Sequence, residues 1–300
     1  MTAAVTAAAT EARDTLVLPA PAKLNLFLHV TGRRPDGYHE LQTVFRLVDL
    51  CDEVSITRVE GPPGVVLAAD SEGPREGNLV VRAAERLLAA LADASTSVQV
   101  GVRKRIPQGG LGGGSADAAT VLLGLNHLLG SPLGIDALAE LGRGLGADVP
   151  VFVRGRNAWA EGIGDLLTPI DLPPAWYLIL APGIEVPTAL VFGHVALTRD
   201  TPVMRMRGSL ETAALEAGVR NDCESLVRRL FPEVGRALDW LSHRASARLT
   251  GTGGCVFAAF DSEDEATRLA ALVPAPWRGI VARGLESSPV HALLSSPATQ

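Results

Sequence analysis

Aromatic side chains are scarce in this chain, making up 4% of 300 residues with only four tryptophans and two tyrosines. An aromatic at a polar position therefore stands out. Cysteine is scarcer still. Cys51, Cys223 and Cys255 are odd in number, far apart and without CxxC spacing, which excludes a disulfide framework and reads as three reduced thiols. No HExxH or Cys/His cluster marks a structural or catalytic metal. No apolar run reaches the ~18 residues of a membrane span. The opening MTAAVTAAATEARD lacks the basic start and apolar centre of a secretory signal, so residues 1–15 read as a disordered tail on a cytoplasmic protein. Positive charge is not in excess, since 27 Lys and Arg against 33 Asp and Glu leave a net charge of −6. That argues against nucleic acid and membrane as partners, though not against a local basic pocket for a phosphorylated small molecule.

What is present is a globular composition, 47% hydrophobic and 20% charged, with length for one large domain or two ordinary ones. Strand patterns fall at Ala22–Val30, Leu41–Val48, Glu53–Arg58, Gly64–Ala68 and Val98–Lys104. A proline break precedes the first. Within it, Leu24, Leu26, Leu28 and Val30 alternate with Lys23, Asn25, Phe27 and His29. Helical patterns cover Leu79–Ala92, Ala116–Leu129 and Ile135–Leu145, and Val149–Val153 reads as a strand. A second mixed half follows. It has a strand at Tyr177–Ala181, helices at Ala189–Leu197, Glu224–Leu230, Val234–His243 and Glu263–Leu272, and strand structure through the glycines from Leu249 to Phe260. The proline-rich LLTPIDLPPAW marks the boundary, giving domains at 16–168 and 169–300. The basic run Arg205–Arg207 reads as a solvated loop.

One segment carries a strong local signal. PQGGLGGGS, Pro107–Ser115, lies between a strand and a well-formed helix. Each ordered glycine costs roughly 0.5–1 kcal/mol of extra conformational entropy, so such a run needs a reason. Close backbone approach to phosphate oxygens at a helix N-terminus supplies one. The segment is not a Walker A, lacking Gly-Lys-Ser/Thr, and its glycine spacing does not fit a dinucleotide fingerprint. Lys23 and Asn25 share a strand face about 7 Å apart, which suits a polar site and an exposed edge equally well. Asp148, in GADVPVF, reads most simply as a turn aspartate bonding its own backbone. Tyr38 in PDGYHEL suits a lid on the core, and His39 beside Glu40 a solvated pair.

Together these pieces are more specific than apart. PAKLNLFLHVTGRRPDGYHELQT, PQGGLGGGSADAA and RLTGTGGCVFAAF resemble, in order, the three motifs of the GHMP kinases, the group named for galactokinase, homoserine kinase, mevalonate kinase and phosphomevalonate kinase. The resemblance runs from about Pro21 to Phe260. GYHEL and GADVPVFVRG are similar to the branch that phosphorylates the 2-hydroxyl of cytidine-diphosphate methylerythritol in the non-mevalonate isoprenoid pathway. It implies an α/β (α+β) fold in two lobes, a ribosomal-protein-S5-like ATP lobe and a ferredoxin-like lobe, with the site between them. It implies Lys23 and Asp148 as the catalytic pair, and Asn25 holding the sugar hydroxyls. It further implies Tyr38 stacking on cytosine opposite Phe192, His39 reading the Watson–Crick edge, and Thr188 nearby.

ATP phosphates would lie on Pro107, Gln108, Gly109, Gly110, Leu111, Gly112, Gly113, Gly114 and Ser115, with Ala116 and Asp117 opening the helix and Asn78 and Lys104 near adenine. Mg2+ is expected with ATP, held mainly by phosphate oxygens and water, with Ser115 as a candidate ligand and Asp117 as the one carboxylate candidate. The glycine turn Thr250–Gly254 would support the site from the second half. The phosphate loop departs from the family by being one residue shorter between Pro107 and Leu111. The protein is expected as a monomer or weak homodimer. The competing readings are another GHMP kinase, acting on mevalonate, homoserine or a sugar, and a non-catalytic nucleotide-binding protein on the same scaffold.

Overall fold

The computed structural model describes residues 15–71, 73–205 and 219–295. The expected tail up to Asp14 and the part of the basic run beyond Arg205 lie outside the described residues. Two long antiparallel strands, β1 (Thr15–Arg33) and β2 (His39–Arg58), form the spine. A five-residue turn, Arg34–Tyr38, joins them, with Gly37 at φ +91°. The inner edge of β2 pairs with β4 (Ser97–Arg103) over Glu53–Arg58 and with β5 (Ala158–Glu161) over Thr43–Phe45. β3 (Gly64–Leu67) and β6 (Leu166–Pro169) close the two ends of this six-stranded sheet.

Helices α1 (Leu79–Ala90), α2 (Gly113–Leu128), α3 (Ile135–Arg143) and α4 (Val149–Arg154) build the rest of the first lobe. α1 buries Val80, Ala84, Leu87 and Leu88 along one stripe and keeps its other face wet. α2 is buried almost all round, from Ala116 to Asn126, so it is the central helix of the lobe.

The second lobe has a four-stranded antiparallel sheet of β7 (Trp176–Ala181), β8 (Ala247–Leu249), β9 (Val256–Phe260) and β10 (Arg278–Arg283) in the order β10-β7-β9-β8. With helices between β7 and β8 and one, Glu263–Ala270, between β9 and β10, this is the ferredoxin-like arrangement that was expected. Buried Arg46 holds the connecting segment by donating to the carbonyls of Leu172 and Pro173. After β10 the chain returns to the first lobe, where Val290 enters its core and the helix Pro289–Ser295 packs on β1 and α2. The stretch 169–300 therefore serves both lobes.

Three local expectations are corrected. Val149–Val153 is a helix, α4, not a strand. All five residues are buried, so no periodicity shows in the sequence. Pro150 sits in the first turn, where its missing N–H costs nothing, and Gly155 at φ +64° ends the helix. The prolines do not break β1. Pro19 and Pro21 pair with Glu53 and Cys51, because β1 uses only one edge for the ladder. The alternation over Leu24–Val30 also fails. A register shift between Asn25 and Leu28 puts Leu24, Leu26 and Phe27 in one cluster and Leu28 and Val30 in another.

Candidate active site

The second edge of β1 is what assembles the site. Its backbone N–H groups are left over from the ladder, and burial requires that they find acceptors. Lys23 N–H donates to Leu111 O of the glycine loop at 2.9 Å, and Asn25 N–H to Thr250 Oγ1 of the third motif at 3.0 Å. Further along, Leu28 N–H reaches Arg220 O at 3.1 Å, and Val30 N–H reaches Asp222 Oδ2 at 2.7 Å. One strand thus brings three segments, between 88 and 225 residues away in sequence, onto a single line.

The side chains on that line are buried. Lys23 and Asn25 are each 3% exposed, which removes the exposed-edge reading. Lys23 Nζ donates to Asn25 Oδ1 at 2.5 Å and lies 3.2 Å from Asp148 Oδ2. Asn25 Nδ2 donates to Thr43 Oγ1 at 2.9 Å, which in turn donates to Phe27 O at 2.5 Å. The Lys23 ammonium also sits 5.3 Å from the centre of the Phe45 ring. A buried ammonium is tolerated only when its protons are placed; here an amide, a carboxylate and an aromatic face share them. Asp148 precedes α4 at the N-cap position, yet its side chain makes no capping bond. Its carboxylate is committed to Lys23 and to the cleft, not to the turn.

That cleft, about 360 Å³, is lined by Lys23, Asn25, Asp148, Ser115, Thr188 and Phe192 among others. A second hollow of about 260 Å³ lies against Lys104 and the loop from Pro107 to Gly114. Gly110, Gly112, Thr188 and Thr252 line both, so the two are neighbours across the glycine loop. The loop is pinned to the second lobe: Cys255 N–H donates to Gly109 O at 3.1 Å, and a Cβ on Gly109 would lie 2.8 Å from Gly254 Cα. Gly112 caps α2 at φ +73° and has no side chain to bond, so the first-turn N–H groups remain open for an anion.

Asp117 is corrected. It opens the same helix, but it is buried, paired with Lys104, and lines neither hollow. Lys104 Nζ is shared between Asp117 Oδ2 at 2.7 Å and Asp52 Oδ2 at 2.6 Å, and Asp52 Oδ1 accepts from Arg105 and Ile106 N–H. Burial pushes the Asp117 carboxyl up to about 7, Asp52 adds to the rise and Lys104 opposes it. Burial alone would lower Lys104, but the two carboxylates outweigh it and its pKa is raised. Asp117 Oδ1 is buried without a hydrogen-bond partner among the described residues. A folded-state pKa above the unfolded value means that the folded protein loses stability as pH rises from about 4 to about 7. Between pH 5 and 7.5 the thermal midpoint of Asp117→Asn should fall less than that of the parent protein; equal slopes in parallel melts would remove Asp117 from this titration. Asn78 caps α1, accepting from Val80 N–H at 3.2 Å, and Leu79 beside it meets the first turn of α2 at Gly114.

The expected aromatic sandwich is not assembled as drawn from sequence. Tyr38 is 60% exposed and lines a separate hollow with Arg34, Arg86 and Arg143. The ring stacked on Phe192 is His39, with centroids 5.2 Å apart and planes 28° from parallel. His39 begins β2 and is 7% exposed, so it is not a solvated partner of Glu40. Burial holds its imidazole below the ordinary range, and Arg199 and Arg33 add to that. Thr188 Oγ1 lies 2.9 Å from Thr252 Oγ1, joining the segment before Phe192 to the third motif. Sequence reasoning missed Thr43 and Arg199. Thr43 was discoverable as a polar residue in an apolar strand, whereas Arg199 carried no signal.

The models for the GHMP kinases N terminal domain and the GHMP kinases C terminal domain match residues 78–156 and 206–279. A 4-diphosphocytidyl-2-C-methyl-D-erythritol kinase of Marinobacter nauticus is 48% identical over 282 residues, covering 93% of this chain and 98% of that one. The enzyme of the same name from Chromohalobacter salexigens is 50% identical over 283 residues, covering 93% and 94%. A crystal structure of 4-(cytidine 5'-diphospho)-2C-methyl-D-erythritol kinase superposes with a TM-score of 0.74 at 35% identity, over 90% of this chain and 99% of that one. With both lobes of the fold matched and relatives at about half identity along nearly its whole length, the chain belongs to the GHMP kinases, in the branch of the 4-diphosphocytidyl-2-C-methyl-D-erythritol kinases.

Proposed function

We propose that this kinase transfers the γ-phosphate of ATP to the 2-hydroxyl of 4-diphosphocytidyl-2-C-methyl-D-erythritol, with Lys23 and Asp148 as its catalytic residues. The observation that carries this is the cluster of buried Lys23 and Asn25 with half-buried Asp148 on the floor of one hollow, a glycine loop away from another whose wall is an open helix N-terminus. Phosphoryl transfer asks for three things: a nucleophile in line, charge stabilisation on the equatorial oxygens and a base. Asp148 takes the proton of the hydroxyl as its oxygen bonds to the γ-phosphorus and the bond to the β-phosphate oxygen breaks. Lys23 fixes the Asp148 carboxylate and places positive charge beside the transferring group. Asn25, held by Lys23 and Thr43, orients the sugar hydroxyls. The N–H groups at Gly113 to Ser115 and the left-handed glycines at 109, 110 and 112 take the phosphate chain.

Mg2+ fits as a companion of the nucleotide, not as a resident of a protein cage. Among the described residues no cluster of three His, Cys, Asp or Glu side chains could hold it, and Asp117 is committed to Lys104. The Ser115 hydroxyl would be its protein ligand, with phosphate oxygens and water completing the shell. When bound, it would neutralise charge on the phosphates.

For the nucleobase, Phe192 supplies an apolar face and His39 a polar edge next to it; Tyr38 stands exposed outside the cleft. Release of ADP should be measured with four acceptors: the cytidylylated sugar, the same sugar phosphate without cytidine, mevalonate and homoserine. Turnover is expected with the first alone. Turnover with mevalonate or homoserine would keep the kinase and overturn the base pocket.

A further inference from the structure

Arg199 lies in the segment that follows the short helix Thr188–Gly193, outside the three motifs and outside the lining of both hollows. Its guanidinium is fully committed within the protein. Nε–H donates to His39 Nε2 at 2.9 Å. Nη2 donates to Phe192 O at 3.0 Å and His194 O at 2.7 Å, while Nη1 donates to Leu197 O at 3.1 Å and Val195 O at 3.5 Å. An arginine has five N–H donors in a rigid fork, and all five are placed here. No donor is left for a substrate phosphate, so the residue acts through what it holds.

It holds two things. The first is the backbone of the segment carrying Phe192. The second is the protonation state of His39. A ring nitrogen that accepts from an arginine cannot carry a proton, so the neutral imidazole keeps its one proton on Nδ1. The geometry points to Arg199 as a positioning residue that locks His39 as the Nδ1–H tautomer, giving the nucleobase pocket one fixed donor against the acceptor edge of cytosine. This rests on the base-pocket reading above. Cytosine offers O2 and N3 as neighbouring acceptors, and a ring free to switch tautomer would also present an acceptor to them. Doubly protonated His39 would set two donors face to face at Nε2. The charged groups facing His39 are Arg199 from this segment and Arg33, its ladder partner on β1; both disfavour that form.

The test is kinetic and spectroscopic on the full chain. Arg199→Ala should raise KM for the cytidylylated acceptor about 10-fold or more and leave KM for ATP within about twofold. Its acceptor KM should also become pH-dependent at a higher pH than in the parent, as His39 returns toward its ordinary range. Arg199→Lys keeps the charge but not the fork, and should restore neither KM nor tautomer. In the double variant with His39→Ala, Arg199→Ala should add clearly less to the acceptor KM than it does in the parent, since the part of its effect that runs through the His39 ring is already lost. Equal rises in both KM values, or additive losses, would leave Arg199 a fold-holding residue and overturn the proposal. Imidazole nitrogen shifts decide the tautomer separately. A deprotonated Nε2 in the parent and a mixture in Arg199→Lys are expected, and a protonated Nε2 in the parent would overturn the proposal whatever the kinetics. If His39→Ala leaves the acceptor KM unchanged while the tautomer is as expected, it is the base-pocket reading that falls, and Arg199 stands as the residue that fixes the ring.

Discussion

Asp148→Asn is expected to lower kcat by about 10²-fold or more, or about 2.7 kcal/mol of transition-state stabilisation, while leaving ATP affinity nearly unchanged. Asparagine is the informative replacement. Its amide oxygen can still accept from Lys23 Nζ, which the carboxylate meets at 3.2 Å, so the buried ammonium is not stranded. The side chain makes no capping bond to α4, so the helix loses nothing. What disappears is basicity at the one carboxylate, among the described residues, that both lines the cleft and touches the lysine. Alanine would also leave Lys23, 3% exposed, with only Asn25 as a hydrogen-bonding partner, and part of its effect would come from rearrangement. Steady-state turnover with the cytidylylated acceptor, beside direct titration with ATP, separates these outcomes. Turnover within a few-fold of the parent would return Asp148 to the role of a turn residue and leave the reaction without its base.

How far the site could be read from the sequence depended on which physical signal each residue leaves. The glycine loop was plain, because a dense run of flexible residues between two ordered elements conflicts with stability unless something approaches the backbone. Lys23 and Asn25 were visible as polar interruptions of an apolar strand, but their burial was not, since β1 lies against a second lobe that no local pattern announces. α4 was misread for the same reason. Valine and phenylalanine favour a strand until burial on every side holds them in one helical turn. The second sheet showed its strands but not their order, because pairing β7 between β9 and β10 is settled by tertiary contacts more than 70 residues apart. The proposed base pocket was legible by residue type and illegible by arrangement. Tyr38 and His39 are adjacent in sequence, yet the first closes an exposed turn and the second begins a buried strand, so only His39 reaches Phe192. Arg199, one arginine among many, could be found only through the carbonyls it gathers.

Gly112→Val is expected to abolish measurable ATP binding while the chain still folds. Two independent effects act at this position. The residue sits at φ +73°, a region that a β-branched side chain rarely enters and that costs a non-glycine residue roughly 1–2 kcal/mol. The space is also taken, since a Cβ here would lie 2.9 Å from Phe152 Cζ and 3.1 Å from Lys23 Cε. Phe152 belongs to the helix that follows Asp148, so the added carbon presses on Lys23 directly, on the segment carrying Asp148 through Phe152, and on the helix end proposed to receive the phosphates. Gly130→Val is the matched control. Gly130 has φ +84° with nothing within 4 Å of its Cβ position, at the far end of α2. It therefore carries the backbone strain without the crowding. Calorimetric titration with ATP and thermal unfolding, run on both variants, divide the two effects. A loss of stability shared by both, with loss of ATP binding confined to Gly112→Val, is the expected pattern. Retained ATP binding in a folded Gly112→Val protein would place the phosphates somewhere other than the N-terminus of α2.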